Sequence, residues 1–313
     1  MKIIRGNDIG SLVRLVDYGD EWIIVEREDG VTQAVTVGTV SLSNDDIELL
    51  QKDLSCQDLD PAKVRFWVTH EIQGSVFKRR GARSRPMPIT RHQLLAHLHE
   101  ILQPKLYLEI GVHQGLSLAL AKNAEYAIGV DPNPLIQASA NQLLYRTTSD
   151  NYFATTKYIG RIDLAFIDGE HLAEFALRDF INVAGYSGPG TVVVFDDVLP
   201  YNSAIADRVM PPGGDWTGDV WKVWELLKNR DDLSVYLVDT FPTGTMVVWN
   251  WEKGLADAGA RLSEEYERHE RRIMDMGTEV PAGILDRRWA HPAQFILDTL
   301  RELQHGPSTE RVS

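Results

Sequence analysis

One cysteine, Cys56, occurs in 313 residues, so no disulfide can form within the chain. Long apolar runs are missing too: none approaches the roughly 18 residues that a membrane helix needs. Positive charge is scarce. Thirty-two lysines and arginines stand against 45 aspartates and glutamates, a net charge of −13 that repels a polyanion, which argues against wholesale binding of nucleic acid. No charged-then-apolar leader opens the sequence, and neither an internal repeat nor a low-complexity tract interrupts it. The expectation is a cytoplasmic protein, neither exported nor membrane-bound, whose partners are small molecules.

What is present falls into four parts. Residues 1–75 hold short β-type segments ("EWIIVERE", "TQAVTVGTVSL"), an acidic helical stretch ("NDDIELLQKDL") and "KVRFWVTHEI", which together read as a small α+β domain. Residues 76–90, "VFKRRGARSRPMPIT", are basic through Lys78, Arg79, Arg80, Arg83 and Arg85 and are broken by Pro86 and Pro88, the pattern of a hinge or lid loop that could also clamp a phosphate. Residues 91–252 open with the helical "RHQLLAHLHEIL" and continue as apolar strands alternating with helical stretches. Residues 253–313 contain the amphipathic segments "LADAGARLSEEYERHERRIMDM" and "AHPAQFILDTLREL", a helical extension expected to pack on the core and leaving room for a homo-oligomer contact.

The strands of the third part are "KLYLEIG", "YAIGVD", "LLYRTTS", "DLAFIDG", "TVVVFDD", "VYLVDT" and "GTMVVWN". Continuous apolar runs separated by helices signal a mostly parallel sheet buried on both faces, and the short "FPTG" link makes the last two strands a hairpin with one member antiparallel. The fold class is thus α/β, a seven-stranded doubly wound sheet. In such sheets ligands bind just outside the carboxyl ends of the strands. Five expected strand ends carry acids: Glu109 with Gly111, Asp131, Ser149 with Asp150, Asp168, and Asp196 with Asp197. A single aspartate there is usually a helix cap, but five are too many for capping alone.

The first of these turns, "EIGVHQGLS", has Gly111 and Gly115, whose backbones can turn tightly and approach a ligand ahead of an expected helix. The dinucleotide fingerprint asks for three glycines as GxGxxG, and Val112 to Gln114 interrupt it. Asp131 lies 20 residues past Gly111, where a carboxylate can accept both ribose hydroxyls. That distance serves NAD and an S-adenosyl ligand equally.

Glu109, the final hairpin and the acids on the fourth and fifth strands together resemble the class I S-adenosylmethionine-dependent methyltransferases over about residues 90–250. The resemblance implies that Gly111, Gly115, Glu109 and Ser117 surround the methionine part, that Asp131 holds the ribose, and that Ser149 and Asp150 meet the adenine edge with Phe153 stacking beside it. "FIDGEHLAEFALRD" resembles the DGxH segment of a bacterial branch of small-molecule methyltransferases, with Asp179 in the place of a later family acid. "VVVFDD" departs from the FHDV common there, and resembles the aspartate pair of metal-dependent antibiotic-sugar and macrolide O-methyltransferases. This implies a Mg²⁺ ion on Asp168, Asp196 and Asp197, with Asp168 also near the cofactor. Three carboxylates make an all-oxygen site suited to that ion. His171 occupies the position of the catalytic lysine of catechol-type enzymes, and Glu170 is the second candidate for the base. Asp219 and Lys222 could reach an acceptor or could decorate a solvated helix face.

The resulting expectation is an O-methyltransferase acting on a hydroxyl of a sugar or other small natural product. Three alternatives stay open: a metal-independent N- or O-methyltransferase, a non-catalytic protein that binds an S-adenosyl ligand and serves assembly, and an NAD-dependent oxidoreductase.

Overall fold

In the computed structural model the described residues are 88–156, 159–210 and 216–305, together with the backbone of four strands between residues 2 and 36. Those four strands, β1 (Lys2–Arg5), β2 (Leu12–Asp17), β3 (Trp22–Arg27) and β4 (Thr32–Thr36), pair in sequence order as an antiparallel sheet. They belong to one compact unit, and residues 88–211 and 216–313 form a second. The helical stretch expected at 44–54, the segment 63–72 and the basic loop up to residue 87 lie outside the described residues.

The second unit opens with α1 (Arg91–Leu102), begun by Thr90: its hydroxyl accepts from Gln93 N while Gln93 Oε1 accepts from Thr90 N at 2.9 Å. Then follow β5 (Leu106–Ile110), β6 (Tyr126–Val130), β7 (Gln142–Tyr145), α2 (Ser149–Thr155), β8 (Ile162–Ile167), α3 (Ala173–Ala184) and β9 (Ser187–Phe195). After them come α4 (Trp221–Leu227), β10 (Ser234–Asp239), β11 (Thr245–Trp249), α5 (Ala256–Glu264), α6 (Tyr266–Asp275), α7 (Ala282–Leu285), β12 (His291–Pro292) and α8 (Ala293–His305). The sheet order is β12-β10-β11-β9-β8-β5-β6-β7, with β11 antiparallel to both its neighbours and the other pairings parallel.

Side chains alternate across this sheet, which is why every central strand reads as an unbroken apolar run. Leu108, Ile110, Ala165, Ile167, Val193 and Phe195 face one core with Leu177 and Phe180 of α3. Tyr107, Leu164, Phe166, Val192 and Val194 face the other, with Leu94 and Leu98 of α1 and Ile296 and Leu300 of α8. The helical extension supplies Leu262 and Ile273 to the first core and α8 to the second, so it is packing material for both faces.

Four sequence expectations are corrected. The sheet has eight strands, not seven, because the extension adds the two-residue β12 beside β10. The segment after Gly115 forms a single 3-10 turn, Leu118–Leu120, where a helix was expected. Its carbonyls are taken by side chains entering β7: Asn141 donates to Ala121 O and Ala124 O, and Gln142 to Leu118 O, overriding a good local helix propensity. The third strand stops at Tyr145, so Ser149 and Asp150 belong to the first turn of α2, whose cap is the Thr148 hydroxyl, and are not a strand end. Finally, Asp219 and Lys222 are buried, not on a solvated face.

Candidate active site

The carboxyl ends of β5, β6, β8 and β9 meet along one rim. Gly111 sits at φ +86°, and a Cβ there would lie 1.7 Å from Asp168 O, so no other residue fits between the β5 turn and the end of β8. Gly115, at φ +71°, presses on Ile136 in the same way. Asp131, ending β6, holds this turn by its backbone: Oδ2 accepts from Val112 N at 2.9 Å and His113 N at 2.8 Å, and Oδ1 accepts from Asn133 N at 2.6 Å. A carboxylate so used fixes the shape of the glycine turn.

Glu109 lies beneath that turn, fully buried, accepting from Tyr107 OH and Ser117 Oγ at 2.7 Å each. Burial pushes its carboxyl up to about 7 against these hydrogen bonds. Glu109 and Ser117 therefore brace each other, tying the turn to β5. Further along, Asp150 is engaged by Arg178, which donates Nε and Nη2 to its two oxygens at 2.8 Å each. Phe153 packs edge-on to Tyr152 and stacks on Tyr186 at 6.0 Å between centroids. Asp179 is buried and hydrogen-bonded to the Ser149 side chain; desolvation pushes its carboxyl up to about 7.

At the ends of β8 and β9, Asp168, His171 and Asp197 each offer one ligand atom, and these lie within 4.8 Å of one another. His171 Nε2 is 3.2 Å from Asp197 Oδ2 and 3.8 Å from Asp168 Oδ1. Its other nitrogen, Nδ1, is 2.5 Å from Trp216 O, and the two rings stack at 5.1 Å. A carbonyl only accepts, so Nδ1 carries a proton, and Nε2 is the nitrogen that faces the two carboxylates. Glu170 is exposed and outside this cluster.

Asp196 does not join the group. Alternation along β9 places it on the same face as Val194, toward α1, where its Oδ2 is 3.1 Å from Arg91 Nε. Asp197 instead adopts φ +61°, a left-handed conformation uncommon for a residue other than glycine, which turns it toward His171. Asp168, His171 and Asp197 thus cluster at the rim, with Asp196 beside them and paired to Arg91. Burial, and then repulsion from Asp196, pushes the Asp168 carboxyl well up, and burial likewise raises Asp196 against the pull of Arg91.

Three residues escaped the sequence reading: Arg91, Trp216 and Arg208. Arg91 follows a Thr-x-x-Gln capping signal and so begins a helix legibly, yet nothing in the sequence says that this helix start faces β9. Trp216 opens the stretch "WTGDVWKVW". Arg208 donates to both Glu174 oxygens and to Asp219 Oδ2, which also receives Lys222 Nζ at 3.0 Å.

Residues 108–198, from within β5 to just past β9, match the family model described as a methyltransferase domain. No curated protein sequence matches the chain. Among solved structures, the O-methyltransferase TomG of Streptomyces achromogenes, involved in tomaymycin synthesis and bound to its methyl donor, is 22% identical over 53% of this chain and 80% of its own, with a TM-score of 0.41. An O-methyltransferase of Bacillus cereus is 19% identical over 54% and 83%, with a TM-score of 0.40. A methyltransferase of Podospora anserina is 16% identical over 50% and 76%, with a TM-score of 0.41. With the matched segment lying in a sheet whose glycine turn, acidic rim and antiparallel β11 follow the expected pattern, residues 108–198 are those of a methyltransferase domain.

Proposed function

We propose that this protein is an O-methyltransferase for a hydroxyl of a small molecule, a sugar or natural product bearing adjacent hydroxyls, and that it holds a divalent cation on Asp168, Asp197 and His171. The observation carrying this reading is the convergence of two carboxylates and an imidazole lone pair within 4.8 Å at the rim of a methyltransferase domain. Two negative charges and one neutral nitrogen suit a dication, and the nitrogen widens the choice from Mg²⁺ to Mn²⁺ and its first-row neighbours.

For the methyl donor, the turn from Gly111 to Gly115 takes the methionine part, braced from below by Glu109 and Ser117. Asp131 takes the ribose: Oδ1 has one backbone donor and keeps accepting capacity for a hydroxyl. Ser149 and Asp150 lie toward the adenine edge, with Phe153 behind them. Methyl transfer from a sulfonium asks the protein for alignment and for removal of the acceptor's proton. A bound divalent cation would make the acceptor hydroxyl more acidic and fix its place. Asp168 and Asp197 supply the charge that retains it, and the backbone contact between Gly111 and Asp168 ties that end of the rim to the donor turn.

A second reading has its own support. His171 Nε2 lies 3.2 Å from Asp197 Oδ2, the arrangement of a general base with a carboxylate that stabilises its protonated form. In that case His171 takes the acceptor's proton directly and no metal is needed. Calorimetry with S-adenosylhomocysteine tests the donor site, and Mn²⁺ titration by electron paramagnetic resonance tests the cation site. Tight S-adenosylhomocysteine binding with activity abolished by EDTA and restored by Mg²⁺ or Mn²⁺ supports the first reading. EDTA-resistant activity supports the second, and no binding of S-adenosylhomocysteine at millimolar concentration sinks both.

A further inference from the structure

The segment 216–219 contacts both the ring and the backbone carbonyl of His171. Trp216 O faces Nδ1, and the Trp216 ring, itself held by Nε1 donating to Asp207 O at 2.7 Å, stacks on the imidazole. Gly218 lies at φ +53° with its Cα so close to the His171 carbonyl that a Cβ would sit 1.6 Å from that oxygen. Asp219 N donates to His171 O at 3.2 Å, while Asp219 Oδ1 accepts from Ala173 N at 2.9 Å and so supplies the cap that α3 lacks from its own Leu172.

Behind this segment stands a charge-balanced, largely buried network. Asp219 Oδ2 receives Arg208 at 2.7 Å and Lys222 at 3.0 Å; Arg208 also grips Glu174 in the first turn of α3, and Lys222 Nζ donates to Ile273 O of α6 at 3.0 Å. Two acids and two cations satisfy one another, so the network can hold geometry without a stray buried charge.

Resting on the reading of His171 as ligand or base, we propose that Trp216, Gly218 and Asp219 form a socket that fixes His171 in its Nδ1–H tautomer and aims Nε2 between Asp168 and Asp197, with Arg208 locking the socket to α3. These are positioning residues; they act through His171. Either reading of the active site needs that lone pair, since both a metal ligand and a general base must present an unprotonated nitrogen.

The test is a long-range proton–nitrogen correlation spectrum of metal-free protein labelled with ¹⁵N at histidine, in alkaline buffer, with His171 assigned by its loss in His171→Gln. The wild-type chain is expected to show Nδ1–H alone. An Nε2–H tautomer there overturns the proposal without any variant needing to fold. Gly218→Ala and Asp219→Ala are expected to give the averaged signal of a released ring and to lower kcat by roughly 10- to 100-fold with KM for the methyl donor unchanged, while Asp219→Asn, which keeps an acceptor for Ala173 N, retains most of the wild-type tautomer. Folded Gly218→Ala and Asp219→Ala proteins that keep the wild-type tautomer overturn it as well. The tautomer needs neither donor nor acceptor, so a chain that ignores S-adenosylhomocysteine yet shows Nδ1–H would fail the functional reading and leave the socket intact.

Discussion

Arg91, in the first turn of α1, lies 3.1 Å from Asp196 at the end of β9, and this pair offsets part of the charge that Asp196 places beside Asp168 and Asp197. The same guanidinium also lowers the proton affinity of Glu109 and Asp168, which share the α1 face of the sheet with Asp196. One cation thus offsets three buried or half-buried carboxylates.

Arg91→Ala should therefore destabilise the domain by about 3 kcal/mol, because a partly buried ion pair broken from one side leaves the other charge uncompensated. The Arg91→Ala, Asp196→Asn double variant should recover much of that loss. Urea denaturation of the four proteins of this cycle checks both; strict additivity would show that the two side chains do not interact.

Substitutions among the rim acids should separate in their effect on cation binding. Asp197→Asn and Asp168→Asn are expected to weaken Mn²⁺ by about tenfold or more, since each removes a charged ligand, whereas Asp196→Asn should change affinity several-fold at most. Spin-resonance titration of free Mn²⁺ measures this directly. Equal losses at all three positions would restore the three-aspartate arrangement.

Gly111→Ala should impair both folding and the donor site. Its φ of +86° is strained for alanine, and the added Cβ must displace the backbone at Asp168. A stability loss of about 2 kcal/mol or more is expected, with weaker S-adenosylhomocysteine binding in whatever folded protein remains. An alanine variant with wild-type melting temperature and affinity would contradict the close approach of these two turns.

Asp179 should leave a signature in the pH dependence of stability. Its carboxyl is pushed from 3.8 up to about 7 in the folded chain by burial. A raised value means that its contribution is fully present below pH 3.8 and is lost as pH rises through about 7. Between those limits Asp179→Asn should gain on the wild type by a few kcal/mol, since the amide needs no proton to remain neutral and can still accept from Ser149. The difference in unfolding free energy between the two proteins, followed from acid to neutral pH, isolates this group; a flat difference would mean that Asp179 ionises normally.

Much of the domain was legible because its strands bury both faces and so print long apolar runs, each stopped by a polar residue at the rim. The seven main strands, the final hairpin and the helices α1, α3 and α8 follow from that pattern. The short helix expected after Gly115 failed for a reason that local sequence does not carry: its carbonyls are claimed by Asn141 and Gln142. The fading apolar run puts Ser149 and Asp150 at a strand end, whereas the Thr148 cap starts α2 just before them. For Lys222 and Asp219 the sequence leaves open both contact with an acceptor and a solvated helix face, and their burial depends on pairing with each other and with Arg208.

By itself, the sequence determined that acids would collect along one edge of a parallel sheet, because strand ends in such sheets are set by where apolar periodicity stops. Only the tertiary structure decided which acids lie together. Adjacent residues on a strand point to opposite faces, so Asp196 was committed to the α1 side, and what it meets there depends on a helix more than 100 positions earlier in the chain. Asp197 escaped that alternation through a left-handed backbone, and His171 was aimed at it by residues 45 positions or more further along. Those are contacts between distant segments, and their energies are settled by packing and not by any local preference.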